Sequence, residues 1–378
     1  MTLLKQLITN KEKAKELFKS LETPLLEYGP GIQLQLNELD LNQVIAKVNE
    51  EDKIQITAPE GVQVLQASET NPFILEEHFD GLIKANENKH LALHYTILND
   101  TRIIIIPENL TARTPIIITS NTTKKAKAEN IIIIAEPTST ATIIEKSSTE
   151  KEAFFKSKTI QVYARDGANI SFYSVQDHAN GTYGFTVKRG KVYRDAKINF
   201  TDIILGGKYS QLHMQTQLIC PGAKVEKKTI SIGQNNEVFD INTESIHKAM
   251  HTESAMFSRS VLNENTRTIY RGKIKINKEN KKCIAHQKSE NLILGEKARC
   301  DAVPILEVKN DEVICSHGAS IGHIDPEKIF YLTSRGIDEE SAQKIIIAGF
   351  VEPIIQEFPE GSQVELRQRI HKRIGHQE

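Results

Sequence analysis

The sequence predicts a mainly β chain: a long strand-rich middle, drawn out as a solenoid, between a mixed N-terminal cap and a helical C-terminal region. Three observations predict it. From about His90 to Val308, short β-branched segments follow one another, separated by turns such as Arg165-Asp166-Gly167, Leu205-Gly206-Gly207 and Cys220-Pro221-Gly222. Few stretches of that span carry an amphipathic helical period, which argues against βαβ winding. A strand run of roughly 200 residues is also too long for an ordinary sandwich, whereas a solenoid buries each coil against its neighbours at any length. The regions expected are a cap over 1–85, a β core over 86–312 and a helical domain over 313–378.

In the N-terminal region Leu3, Leu4, Leu7 and Ile8 recur at helical spacing, as do Ala14, Leu17, Phe18 and Leu21. Pro24 and Gly29-Pro30-Gly31 break that helix, and short strands are expected at Ile32–Leu36 and Ile54–Thr57. No ligand cluster occurs here, so this region reads as a packing or partner-docking cap. In the core, strands are expected from Leu91–Leu98 and Ile103–Ile106 through Thr268–Ile276 and Lys282–His286.

The C-terminal region turns on Val313 to Gly336. It starts as an apolar strand-like tail and passes through a small-residue turn carrying Cys315 and His317. Asp325 is placed to cap a helix whose first residue is Pro326, where a missing N–H costs nothing. Gly336 fits a left-handed C-terminal cap, and Asp338 caps a second helix with Glu339 and Glu340 in its first turn. There Ala342, Ile345, Ile346, Gly349, Phe350 and Ile354 repeat at three and four, and Pro353 is expected to kink or end the helix.

Composition narrows the function. With 48 basic and 49 acidic residues the net charge is −1, so no global field favours nucleic acid or an anionic membrane. Four dispersed cysteines without a CxxC pair suit a reducing compartment and leave thiols free as ligands. The first residues lack the apolar run of a secretory signal, and the isoleucine runs at Ile103–Ile106 and Ile131–Ile134 are too short to span a bilayer. A soluble, cytoplasmic protein is expected. Neither a P-loop, a GxSxG nor an HExxH motif is present, so no ATP site of the P-loop kind is expected.

Cys315-Ser316-His317-Gly318-Ala319, Ile329-Phe330-Tyr331-Leu332 and Ser334-Arg335-Gly336-Ile337 together form a linked signature. Tyr270-Arg271-Gly272, Asn291-Leu292-Ile293-Leu294-Gly295 and Gly349-Phe350 extend it. In these words the chain resembles the SufB/SufD family of iron–sulfur cluster assembly scaffolds, densely over its last third. The resemblance implies a right-handed parallel β-helix core and a non-enzymatic scaffold. It also implies pairing with a SufB-type paralogue and docking of the SufC-type ABC ATPase on the C-terminal helices, while a homodimer of the isolated chain stays an open alternative.

Within that resemblance His317 is expected as an iron ligand at the contact between subunits, with Cys315 as its sulfur neighbour. Imidazole and thiolate both suit iron and iron–sulfur centres, and in an extended segment residues i and i+2 share a face. The iron or cluster would be transient and shared with the SufB-type partner. B-type chains carry a cysteine where Ser289 stands and a glutamate where Gly318 stands, so this chain looks like the D-type subunit and is expected not to hold a cluster alone. Cys283 is a weak substitute for the missing thiol. Phe330, Tyr331, Arg335 and Phe350 are the expected docking residues for the ATPase. His247 and His251, spaced as HxxxH, are read as structural. The alternative is a left-handed β-helix acyltransferase with His317 as general base, suggested by Ile219-Cys220-Pro221-Gly222-Ala223 and Ile293 to Ala298 but lacking consecutive hexads.

Overall fold

In a computed structural model, which describes residues 3–22, 40–48 and 52–374, the strands wind into a parallel solenoid. Before it come α1 (Leu3–Ser20), α2 (Leu41–Ala46), β1 (Gln55–Thr57), β2 (Gln63–Gln66), α3 (Pro72–His78) and α4 (Lys89–Ile97). The strand expected at Ile32–Leu36 lies outside the described residues. Leu91–Leu98, expected as a strand, is mostly the helix α4, with Asn88 Oδ1 accepting from Leu91 N at 2.9 Å as its cap. Leu91, Ala92, Leu93, His94, Tyr95 and Ile97 are all buried, so the helix has no polar face to mark its period. A helix that is apolar all round reads like a buried strand.

The solenoid is founded on three strands, β3 (Asp100–Ile106), β4 (Ile116–Ala135) and β5 (Thr140–Ala164). β4 and β5 are long because each runs through both faces of a coil, pairing with each other across register shifts near Thr122 to Ala126. Ten-residue strands then alternate between the two faces. One face stacks β6 (Asn169–His178), β8 (Lys197–Gly206), β10 (Lys224–Gly233), β12 (Glu253–Leu262), β14 (Ile284–Ile293) and β16 (Ile314–His323). The other stacks β7 (Tyr183–Val192), β9 (Tyr209–Leu218), β11 (Val238–His247), β13 (Arg267–Ile276) and β15 (Arg299–Val308). All these pairs are parallel, and Asn169, Lys197, Lys224, Glu253, Ile284 and Ile314 form one column. Each coil therefore spends about thirty residues on two strands, which is not a hexad-built coil.

The turns hold this register. On one edge a residue of positive φ recurs coil after coil: Thr138, Gly167, Asp195, Gly222, His251 and Lys282. Its N–H donates to a carbonyl of the next coil, as from Gly167 to Arg194 at 2.8 Å and from His251 to Lys281 at 3.0 Å. The ladder satisfies backbone donors that a tight turn would otherwise leave unpaired.

Along each strand alternate residues point inward. The lumen has an apolar half, built from Ile143, Ile160, Val162, Ile170, Phe172 and Phe200 and continued through later coils. Its other half is polar and fully buried: Lys127 pairs with Glu129 at 2.9 Å, Lys158 with Glu145, and Lys188 with Asp202. Lys188 also lies 4.5 Å from the centroid of the Phe172 ring. Pairing is what makes such charges tolerable at this depth.

Three helices close the chain: α5 (Pro326–Thr333), α6 (Glu339–Ile355) and α7 (Glu360–Ile374). Asp325 and Asp338 cap as expected, accepting from Glu327 N and Ser341 N at 2.9 Å each, and Gly336 takes φ +85°. Pro353 sits in the last turn of α6, which continues past it to Ile355. α6 and α7 pack Ile347, Val351, Ile354, Ile355, Leu366 and Ile370 on the outward residues Val175, Ile203, Leu205, Ile230, Ile232 and Val261. The solenoid itself runs on to His323, beyond the expected boundary at 312. No helix among the described residues is long and apolar enough to cross a membrane.

Candidate functional site at the last coil

Cys315 and His317 lie within β16, not in a turn as their small neighbours suggested. Among the described residues β16 pairs with β14 alone and β15 with β13 alone, so both faces of the solenoid end in an open strand edge. The shared-face expectation holds in register: Cys315 stacks on Ala285 and His317 on Gln287, and both of those are buried inward-facing residues. In every earlier coil such positions are covered by the next strand. Here no strand among the described residues stacks beyond them, so an imidazole stands exposed at the mouth of the lumen, with a half-buried thiol beside it.

The thiol has a packed floor. Cys315 rests on a cluster of Met256, Ile274, Ile276, Cys283 and Ala285. Burial raises its pKa above the ordinary thiol value, and the neighbouring Cys283 adds to the effect. It therefore remains protonated near neutrality until a metal or cation displaces the proton. Cys283 is wholly buried, with its sulfur 3.3 Å from Thr252 Oγ1 and 3.4 Å from the carbonyl of Ala249. No group of three or more His, Cys, Asp or Glu side chains among the described residues is arranged to hold a metal. Cys315 and His317 are thus a pair of donors and not a complete ligand set.

The positions compared with B-type chains follow from the same register. Ser289 is buried on the inward face, where its hydroxyl accepts from Asn291 Nδ2 at 2.9 Å. Gly318 has open space where a side chain would project. His247 is a core histidine whose Nδ1 and Nε2 meet Thr252 Oγ1 at 2.7 Å and Ser254 Oγ at 2.8 Å. Burial lowers its pKa to about 4, which keeps it neutral. His251 is one of the positive-φ turn residues, so the two histidines do not share a helical face.

Of the expected docking residues, Phe330 and Tyr331 are 73% and 54% exposed on α5, a helix without a buried residue. The Arg335 guanidinium lies 4.3 Å from the Tyr331 ring centroid. Phe350 differs. It is half-buried, its ring lies 5.0 Å from the Arg259 guanidinium, and its carbonyl accepts from Arg259 Nη1 at 2.6 Å. It fastens α6 to the solenoid. Neither the buried lysines nor Gln287 beneath His317 stands out in the sequence, since alternating polar residues in a strand normally mark a wet face.

Comparison with known proteins agrees with the fold. Residues 117–350 match the family model described as the SUF system FeS cluster assembly, SufBD core domain. The chain is 29% identical over 320 residues to the iron-sulfur cluster assembly protein SufD of Bacillus subtilis (strain 168), covering 82% of this chain and 73% of that protein. It is 27% identical over 365 residues to an iron-sulfur cluster assembly SufBD family protein of Staphylococcus aureus (strain MRSA252), covering 95% and 77%. The corresponding protein of Staphylococcus aureus (strain USA300) matches equally, at 27% over 365 residues with the same coverage.

Proposed function

Because the chain belongs to the SufBD core-domain family of the SUF iron–sulfur cluster assembly system, we propose that it is a non-catalytic, SufD-like scaffold subunit. One observation carries the reading. Two donors on one face of a terminal strand that is paired along one edge make an incomplete ligand set among the described residues, and that set is open toward whatever covers the strand's other edge. A SufB-type paralogue pairing along β15 and β16 would satisfy their free backbone groups and bring the remaining ligands. His317 would then contribute imidazole and Cys315 thiolate to a transient iron or iron–sulfur species shared between the subunits, the cargo of the assembly. The isolated chain has the same open edges available for a homodimer.

The ATPase of the system, a SufC-type subunit, docks in this reading on α5, where Phe330 and Tyr331 expose aromatic surface and Arg335 stacks on Tyr331. Phe350 supports that surface by anchoring α6 through Arg259. ATP is bound by that partner and not by this chain. Anaerobic co-expression with SufB-type and SufC-type partners tests the reading. The complex should form with wild type and with His317→Ala, and the variant should carry less iron and acid-labile sulfide. Undiminished iron and sulfide in an intact variant complex would remove His317 from the assembly site.

A further inference from the structure

We propose that Gln287 is a positioning residue for His317: its side-chain carbonyl holds the imidazole Nδ1–H and leaves Nε2 as the nitrogen that faces a ligand. The proposal rests on the reading of His317 as a donor and adds a residue to it.

The His317 column changes chemistry as it nears the mouth. Inward and in register it runs Phe172, Phe200, Lys227, Met256, Gln287 and His317. The amide of Gln287 is 4% exposed, yet neither its nitrogen nor its oxygen has a hydrogen-bond partner. An unpaired buried amide costs about 1–3 kcal/mol, so an apolar residue would serve better there if packing were the only demand. The fold also makes room for this side chain. A Cβ on Gly272, across the lumen, would stand 2.3 Å from Gln287 Oε1, and one hydroxyl, Tyr270 OH, would lie 2.8 Å from that same point. The Tyr270-Arg271-Gly272 word thus clears space for an amide in the layer beneath the terminal strand.

What can satisfy that amide is restricted. The gap lined by Tyr270, Gln287, Ser289, Pro304 and Ala319 leaves no room for a water-sized sphere. The nearest polar side chain in the next layer of the same column is His317, one strand spacing of about 4.8 Å away. To present its oxygen to that ring, Gln287 needs a rotation about its last torsion, which is a soft one. A carbonyl oxygen only accepts, so the bond fixes the proton on Nδ1 and the lone pair on Nε2. Fixing the tautomer from the layer behind is how buried groups commonly prepare a histidine to bind metal.

The test uses the full chain, metal-free, with ¹⁵N-labelled histidine. In wild type the His317 nitrogens should show a proton held on Nδ1. Gln287→Leu should release the ring to the ordinary preference of free imidazole for Nε2–H, while Gln287→Glu, which keeps an oxygen there, should restore the wild-type pattern. Fe(II) and Co(II) titration should then show an affinity about ten- to a hundredfold weaker for Gln287→Leu than for wild type. The same tautomer in wild type and Gln287→Leu overturns the proposal. Gln287→Met, closer in shape, replaces Gln287→Leu if that variant melts early. A lowered melting temperature with an unmoved tautomer marks a structural glutamine and also overturns it. A tautomer change with no metal binding by either isolated protein supports the positioning role: it is what an incomplete ligand set predicts, and the affinity comparison then moves to the complex with the SufB-type partner.

Discussion

Arg373, in the last turn of the last helix, pairs with Glu237, a buried carboxylate of the solenoid, and its Nε also donates to the carbonyl of Ile232 at 3.0 Å. Burial raises the Glu237 pKa above its ordinary value despite the arginine. The pair is therefore costly to break, because removing one partner leaves the other buried and unpaired. Arg373→Ala should destabilise by about 3 kcal/mol. The loss should be local, with amide exchange in α7 rising before exchange in β10 and β12, which hydrogen–deuterium exchange would resolve.

Lys227 is a buried lysine held by Ser245 Oγ at 3.1 Å and by the carbonyl of Glu244, with no carboxylate in ion-pair contact among the described residues. Burial lowers its pKa to about 7 from an ordinary 10.5. Over that window the unfolded chain takes up a proton that the folded chain does not. Stability from this group is therefore complete at high pH, falls as pH drops from 10.5 to 7, and levels off below. Lys227→Met should stabilise by about 1–3 kcal/mol at pH 7 and flatten this slope. Denaturant melts at pH 7 and pH 9.5 would check it.

His94 behaves in the same sense at acid pH. Its ring nitrogens meet Ser157 Oγ at 2.8 Å and Thr159 Oγ1 at 3.1 Å, and burial lowers its pKa to about 3. Stability is complete above the ordinary value of 6.5 and declines as pH falls toward 3. His94→Gln should lower stability at pH 8 yet show a smaller decline from pH 7 to pH 4, measured by thermal melting.

Gly295 passes close to a backbone. A Cβ there would lie 2.2 Å from Glu264 N and 2.4 Å from Glu264 O, atoms that cannot swing aside. Gly295→Ala should cost about 1–3 kcal/mol or more. Gly318→Ala, which meets nothing, should leave the melting temperature unchanged.

Phe330→Asp should leave the melting curve as it is, because the side chain contributes little to the core. In the docking reading it should weaken capture of the SufC-type ATPase at least tenfold by pull-down or calorimetry. Normal capture by the variant would move the docking surface off α5.

The sequence and the fold meet where side chains act locally. Asp325, Gly336 and Asp338 announce their helix ends because capping is decided within a few residues. The strand-rich core was legible from its β-branched segments and turns. α4 was not, because burial on every side removed its periodicity. Cys315 and His317 resemble turn residues because glycine and serine depress strand propensity, and only the pairing of Ile314–His323 with Ile284–Ile293 on the strand beneath holds them extended. The lumen lysines were hidden for a longer-range reason. Glu145 and Lys158, or Lys188 and Asp202, are thirteen and fourteen residues apart and become partners only when a coil closes.

The constant register of the coils makes the solenoid a ruler. Each coil advances the chain by one strand spacing of about 4.8 Å along the axis, so the number of coils sets how far His317 stands from the N-terminal helices. Excising or duplicating one whole coil, cut between matching positions such as Lys197 and Lys224, would shift Cys315 and His317 by that increment while leaving their own layer unchanged. Length could then be tuned separately from chemistry.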